Sequence, residues 1–273
     1  MTDVVSYQVA NGVAWLTIER PEAHNALNAA VRSGLYAGGR RFNDDDTAKV
    51  LVLTGAGEKA FCAGGDLKEF IPMVTQNIGE LSASGGTQHM GQDFPVNASL
   101  VAVLREVEIY KPIIAAVNGF CMAGGMEMLQ GTDIRIAAEH ATFAISEPRR
   151  GLFPGGGSTT KLPRQIPYPW AMEILLTAEP ISAQKAYHYG ILNDVVPLAE
   201  LMPTAIRYAE LICKNGPLAV RKVKESAVRG LGMPLNEALN QEMAYAGEVF
   251  STEDAMEGIH AFQEKRDPVW KGR

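Results

Sequence analysis

The chain has little cysteine and no surplus of positive charge. Its 273 residues include 3 Cys, namely Cys62, Cys121 and Cys213, and no CxxC pair, so zinc knuckles and dithiol redox motifs are excluded. The odd, widely spaced thiols suit a reducing compartment. The opening MTDVVSYQVA has neither a basic region nor an apolar core, which predicts no secretory signal and a cytoplasmic protein. A net charge of -6 offers no basic surface for a phosphate backbone, so neither nucleic acid nor an acidic membrane is expected as the main partner. A small anionic ligand needs only a few local cations and stays open. No apolar run is long enough to span a bilayer, which takes about 18 residues.

Familiar catalytic and nucleotide signatures are missing too. No GxGxxG follows the first strand, and GxxxxGK[ST], GxSxG and HExxH are all absent. The five histidines, His24, His89, His140, His188 and His260, show no metal-ligand spacing. No metal or redox cofactor is expected.

What is present is a core: 47% of the residues are hydrophobic. Tyr7-Gln8-Val9 and Val13–Ile18 read as strands joined across an Asn11-Gly12 turn. Asn28 reads as the cap of a helix reaching Phe42. Val50–Thr54 and Ile113–Val117 are continuous apolar runs, the mark of strands buried on both faces. Ile134–Ala137 and Thr142–Ile145 read as further strands, and Val195-Val196 as a short one. A helix is expected over Ser99–Tyr110. Residues 77–95 are rich in Gly, Ser and Gln and read as a mobile loop over a pocket. From residue 158 helices dominate: Ser158–Leu162, Trp170–Leu176, Ser182–Tyr189, Pro203–Lys214, Pro217–Gly230, Pro234–Val249 and Thr252–Lys265. The chain thus divides into an α/β core over 1–200 and a helical region over 201–273.

Two units recur, VLVLTGAG…AGGDLKEF and PIIAAVNG…AGGMEMLQ. Each is an apolar strand, a small-residue turn and a helix. Their paired glycines, Gly64-Gly65 and Gly124-Gly125, let a ligand come close to backbone N–H groups, and parallel units bring those groups to one sheet edge. Two converging donors describe an oxyanion hole. Lys59 and Lys68 flank the first glycine turn, either as a solvated face or as contacts for ligand phosphates.

Two glutamates stand in apolar or small-residue surroundings nearby. Glu127 falls in the first helical turn after Gly124-Gly125. Glu147 ends a strand just before Pro148. A glutamate so placed is commonly an ion-paired edge residue. Two around one cavity can instead divide acid and base work.

AFCAGGDLKEF (Ala60–Phe70), NGFCMAGGMEMLQGTDIRIA (Asn118–Ala137) and FAISEPRRGLFPGGGS (Phe143–Ser158) resemble the crotonase superfamily, and the pattern is most similar to enoyl-CoA hydratase. ERPEAHNALN (Glu19–Asn28) and ISAQKAYHYGILNDVVP (Ile181–Pro197) fit the same pattern, so the resemblance covers nearly the whole chain. It implies a spiral of ββα units followed by a helical trimerisation region, assembled as homotrimers or hexamers. Carried over by position, the oxyanion donors are the N–H groups of Gly65 and Gly124, and the hydratase carboxylates are Glu127 and Glu147. Coenzyme A, as part of an acyl-CoA substrate, would run along Ala23, His24, Ala63, Gly65, Asp66, Leu67 and Lys68. The implied reaction is addition of water across the 2,3 double bond of an enoyl-CoA thioester. Double-bond isomerisation, another crotonase-type reaction, and non-catalytic acyl-CoA binding are the alternatives. Two features depart from the pattern. PRRGLFP carries Arg149 and Arg150 where hydratases often have aliphatic residues, and the long 77–95 segment would suit a bulky acyl group such as a ring system.

Overall fold

A computed structural model describes residues 4–69, 72, 103–104 and 108–273. The chain coils so that from the third strand to the eighth, successive strands fall alternately into two sheets. The first sheet has the order β1-β2-β3-β5-β7-β10 and the second β4-β6-β8-β9. Strands β1 (Val5–Ala10) and β2 (Val13–Ile18) pair antiparallel across Asn11-Gly12, both of which have positive φ, as a tight hairpin requires. β2, β3 (Val50–Gly55), β5 (Ile113–Val117), β7 (Ile134–Ala138) and β10 (Asp194–Val196) then run parallel.

The second sheet is built from short pieces: β4 (Ala60–Cys62), β6 (Phe120–Met122), β8 (Thr142–Ala144) and β9 (Ile181–Ser182). Only β8 is legible beforehand. Strands of two or three residues carry no alternation to read. Each coil of the spiral thus lays one long strand in the first sheet and one short strand in the second.

Both faces of the first sheet are buried at its centre, which is why β3 and β5 are mainly apolar. Leu51, Leu53, Ile113, Ala115 and Val117 face inward to the larger core, with α1 (Ala29–Asp44) and the second sheet. Val50, Val52, Ile114 and Ala116 face the other way, against Leu201, Ala205 and Ala209 of α6 (Leu198–Cys213). Asn28 caps α1 through a 2.9 Å bond from the Val31 N–H, as its sequence position predicts.

The remaining helices are α2 (Gly124–Leu129), α3 (Ser158–Gln165), α4 (Tyr168–Thr177), α5 (Ala183–His188), α7 (Pro217–Gly230), α8 (Leu235–Phe250) and α9 (Glu253–Glu264). α6 begins at Leu198, five residues before the expected start, and holds Pro203 inside it. Burial of its Leu201 face outweighs the bond that proline omits. The 77–95 segment lies outside the described residues, as does most of the helix expected over Ser99–Tyr110. Within that stretch Val103 and Leu104 stand in a turn, and 108–110 carry no regular element. Among the described residues no helix is long and apolar enough to cross a membrane.

Candidate active site

The site is assembled where the short strands end. His24 and Asn25 both adopt left-handed backbone, which Asn and His tolerate better than most residues. Asn25 is wholly buried, and its side-chain amide donates to the carbonyls of Ala56 (3.1 Å) and Ala60 (2.7 Å). Asn118, from the next coil, donates to Gly55 O (2.8 Å), Gly57 O (2.7 Å) and again Ala60 O (3.1 Å). Two asparagines from different coils therefore hold the turn leading into β4.

That bracing lays the 23–27 segment beside the end of β4. The Ala63 N–H donates to His24 O (3.1 Å), the Leu27 N–H to Gly64 O (2.8 Å) and the Asp66 N–H to Leu27 O (3.2 Å). Residues expected along the coenzyme A path thus share one strip, though some 40 positions separate them in sequence. Asp66 is already engaged. Arg20 pairs with it at 2.8 Å and holds its carboxyl below the usual carboxylate range. Leu67 and Lys68 are exposed.

The two glycine turns meet. Gly64 has φ +92°, and a Cβ there would stand 2.6 Å from Ala123 Cβ and 3.3 Å from Gly124 N. A Cβ on Gly125 would strike Cys62 O at 2.3 Å, so α2 can start against β4 only with glycine there. Ala123 turns the chain from β6 into α2 at φ 51°, ψ −121°. A side chain in such backbone costs about 1–3 kcal/mol and is held by its surroundings. Here the Ala123 N–H is fixed on Ala144 O at 2.8 Å. Among the described residues, neither the Gly65 nor the Gly124 N–H donates a hydrogen bond.

β6 and β8 are parallel neighbours with Met122 opposite Ala144, and each is followed within a few residues by one of the glutamates. Their surroundings differ. Glu127 is 6% exposed and accepts a 2.6 Å hydrogen bond from the Gly156 N–H on Oε1. Glu147 is half-buried ahead of the short turn Pro148–Arg150, and its Oε2 finds no partner among the described residues. Burial pushes its carboxyl above the ordinary range, only partly offset by nearby backbone and Arg150. The two arginines that depart from the resembled pattern diverge. Arg149 is ion-paired with Glu179, while Arg150 turns back to Ser146 O at 3.3 Å.

Sequence reasoning missed the partner of Glu127. The Gly155–Gly157 run was the visible signal, but nothing local says that its middle N–H reaches a carboxylate 29 positions earlier. A separate cavity of about 520 Å³ lies between α9 and the last residues, lined by Glu253, Glu257, His260, Arg266 and Lys271; it shares no residue with the glycine turns. Among the described residues no three His, Cys, Asp or Glu side chains gather as metal ligands would.

Alternating long and short strands, with glycine turns leading out of the short ones, define a crotonase-type α/β spiral, an enzyme fold. The chain belongs to the enoyl-CoA hydratase/isomerase family, whose model matches residues 8–273. It is 38% identical over 268 residues to (E)-benzylidenesuccinyl-CoA hydratase of Thauera aromatica, covering 98% of this chain and 99% of that one. It is 40% identical over 258 residues to enoyl-CoA hydratase EchA19 of Mycobacterium tuberculosis, covering 94% and 92%. The crystal structure of an enoyl-CoA hydratase from Bacillus anthracis matches with a TM-score of 0.89 at 35% identity, covering 99% of this chain and 100% of that chain.

Proposed function

We propose that this enzyme adds water across the 2,3 double bond of an enoyl-CoA thioester. The observation that carries the reading is the meeting of the two glycine turns, with both N–H donors unspent among the described residues and a buried glutamate in the first turn beyond. The thioester oxygen sits between the N–H groups of Gly65 and Gly124, which draws electron density from C3. Glu127 takes a proton from water as the water oxygen bonds to C3. The electron pair of the double bond moves toward C2 and the carbonyl, and Glu147 delivers the C2 proton. Glu147's raised pKa suits a donor, while Glu127's hold on an N–H suits a fixed acceptor. Each oxyanion donor contributes roughly 10²–10³ in rate, and each positioned acid or base roughly 10²–10⁴.

Coenzyme A follows the strip of Ala23, His24, Ala63, Gly65, Asp66, Leu67 and Lys68. No further cofactor is required, and the free thiols agree with a cytoplasmic setting. Exposed apolar side chains on α7–α9, among them Val223, Val228, Leu235, Met243 and Phe262, support 201–273 as the oligomerisation region of a homotrimer or hexamer. Sedimentation measures that state directly.

The deciding assay offers short, long and polycyclic enoyl-CoA thioesters, with benzylidenesuccinyl-CoA included because a relative is named for it. Loss of the conjugated enoyl absorbance with formation of hydroxyacyl-CoA is expected. Formation of 3-enoyl-CoA alone would instead establish isomerisation, and tight binding without turnover would leave a binding protein.

A further inference from the structure

We infer that Gln130 and Ser158 are positioning residues that set where the Glu127 carboxylate stands. The inference rests on the reading of Glu127 as the group that activates water.

Gln130 is the residue just past α2, three positions after Glu127. Ser158 opens α3, two positions after Gly156. Both are buried, at 2% and 0% exposure. The Gln130 side-chain amide donates to Ser158 Oγ at 2.8 Å and to Met126 O at 3.1 Å. Gln165, at the far end of α3, donates to Gln130 O at 2.9 Å. The path then closes on itself: from Glu127 along α2 to Gln130, across to Ser158, back through Gly157 to Gly156, and by a 2.6 Å bond to Glu127 Oε1. The separation of α2 from α3 fixes that last bond, and the Gln130–Ser158 clasp fixes the separation.

Stability gives a poor account of the clasp. Gln130 Oε1 is buried with no partner. An orphaned acceptor of that kind costs about 1–3 kcal/mol, and apolar groups of the same shape remove the cost. A leucine at 130 and an alanine at 158 would keep most of the packing and release that penalty. What they would lose is a fixed distance between the carboxylate and the N–H that orients it.

The test compares Gln130→Leu, Ser158→Ala, the double variant and Glu127→Gln in the full-length enzyme. Each is measured for Tm and for kcat and KM on whichever enoyl-CoA the parent hydrates best. The expectation is a Tm at or above the parental value in the double variant and somewhat below it in each single variant, which leaves one buried partner unpaired. KM stays within about threefold, and kcat is about tenfold lower in every one of the three, less than the roughly 10²-fold cost of a 1 Å misplacement. The double variant should be no worse than the worse single one, because both break the same link. Parental kcat in folded Gln130→Leu and Ser158→Ala, with Glu127→Gln inactive, overturns the inference. A kcat that returns to the parental value together with Tm in the double variant also overturns it, since that is what a purely structural bond predicts. If Gln130→Leu does not fold, Ser158→Ala decides alone by the same criteria. Unchanged hydration in Glu127→Gln would instead sink the underlying reading of Glu127.

Discussion

Replacing Gly156 with alanine should cut activity sharply while leaving the fold in place. A Cβ built on Gly156 lies 2.2 Å from Glu127 Oε2, 2.5 Å from Cδ and 2.9 Å from Oε1. Ordinary contact begins near 3.4 Å, so the carboxylate must retreat by about 1.2 Å. The atoms displaced are the far end of a flexible side chain, and Gly156 has no left-handed backbone to strain. Glu127 therefore gives way and the backbone stays. A 1 Å misplacement of a catalytic group costs roughly 10²-fold, and weakening the Gly156 bond removes one to a charged group, about 1.5–3 kcal/mol. We expect Gly156→Ala to lower kcat about 10²-fold with Tm within a few degrees of the parent. Gly155→Ala is the control, since a Cβ there meets nothing within 4 Å. Steady-state hydration kinetics and thermal unfolding on the two variants settle the matter. A folded Gly156→Ala with parental kcat would refute the reasoning, as would equal damage in Gly155→Ala.

Glu147→Gln should lower hydration by roughly 10²–10⁴ with thioester binding intact; near-parental turnover would remove Glu147 from the mechanism. Its stability should also depend on pH in a defined direction. Burial raises the Glu147 pKa above 4.5, so the folded chain keeps its proton while the unfolded chain loses it, and stability falls as pH climbs from 4.5 through the raised value. Glu147→Gln should match the parent in acid and exceed it at neutral pH when Tm is followed against pH. Gly64→Ala adds a Cβ 2.6 Å from Ala123 Cβ at φ +92°, and should cost about 3 kcal/mol in urea unfolding; parental stability would mean that the glycine turns do not meet. Asn118→Leu takes donors from the carbonyls of Gly55 and Gly57 and should cost about 2–4 kcal/mol by the same measurement.

Long elements announced themselves. β3 and β5 are apolar without interruption because both faces are covered, and Asn28 marks the start of α1 because its side chain replaces a missing partner. β4, β6 and β9 did not, since two or three residues hold no period. The start of α6 was misread at Pro203, where the local rule for proline yields to a helix face buried on the first sheet. Within the site, both glutamates and both glycine pairs stood out as residue types in context. Their partners did not. The Gly156 N–H, the Gln130–Ser158 bond and the two asparagines act across 28 to 63 positions, distances over which a linear pattern carries no signal.

Asn25 and Asn118 converge on one oxygen, that of Ala60, so successive windings of the chain are pinned at a single peptide. Amides around that peptide should be among the last to exchange with deuterated water. Any breathing that admits a thioester has its pivot elsewhere, and a ligand-induced change in exchange protection should fade toward Ala60.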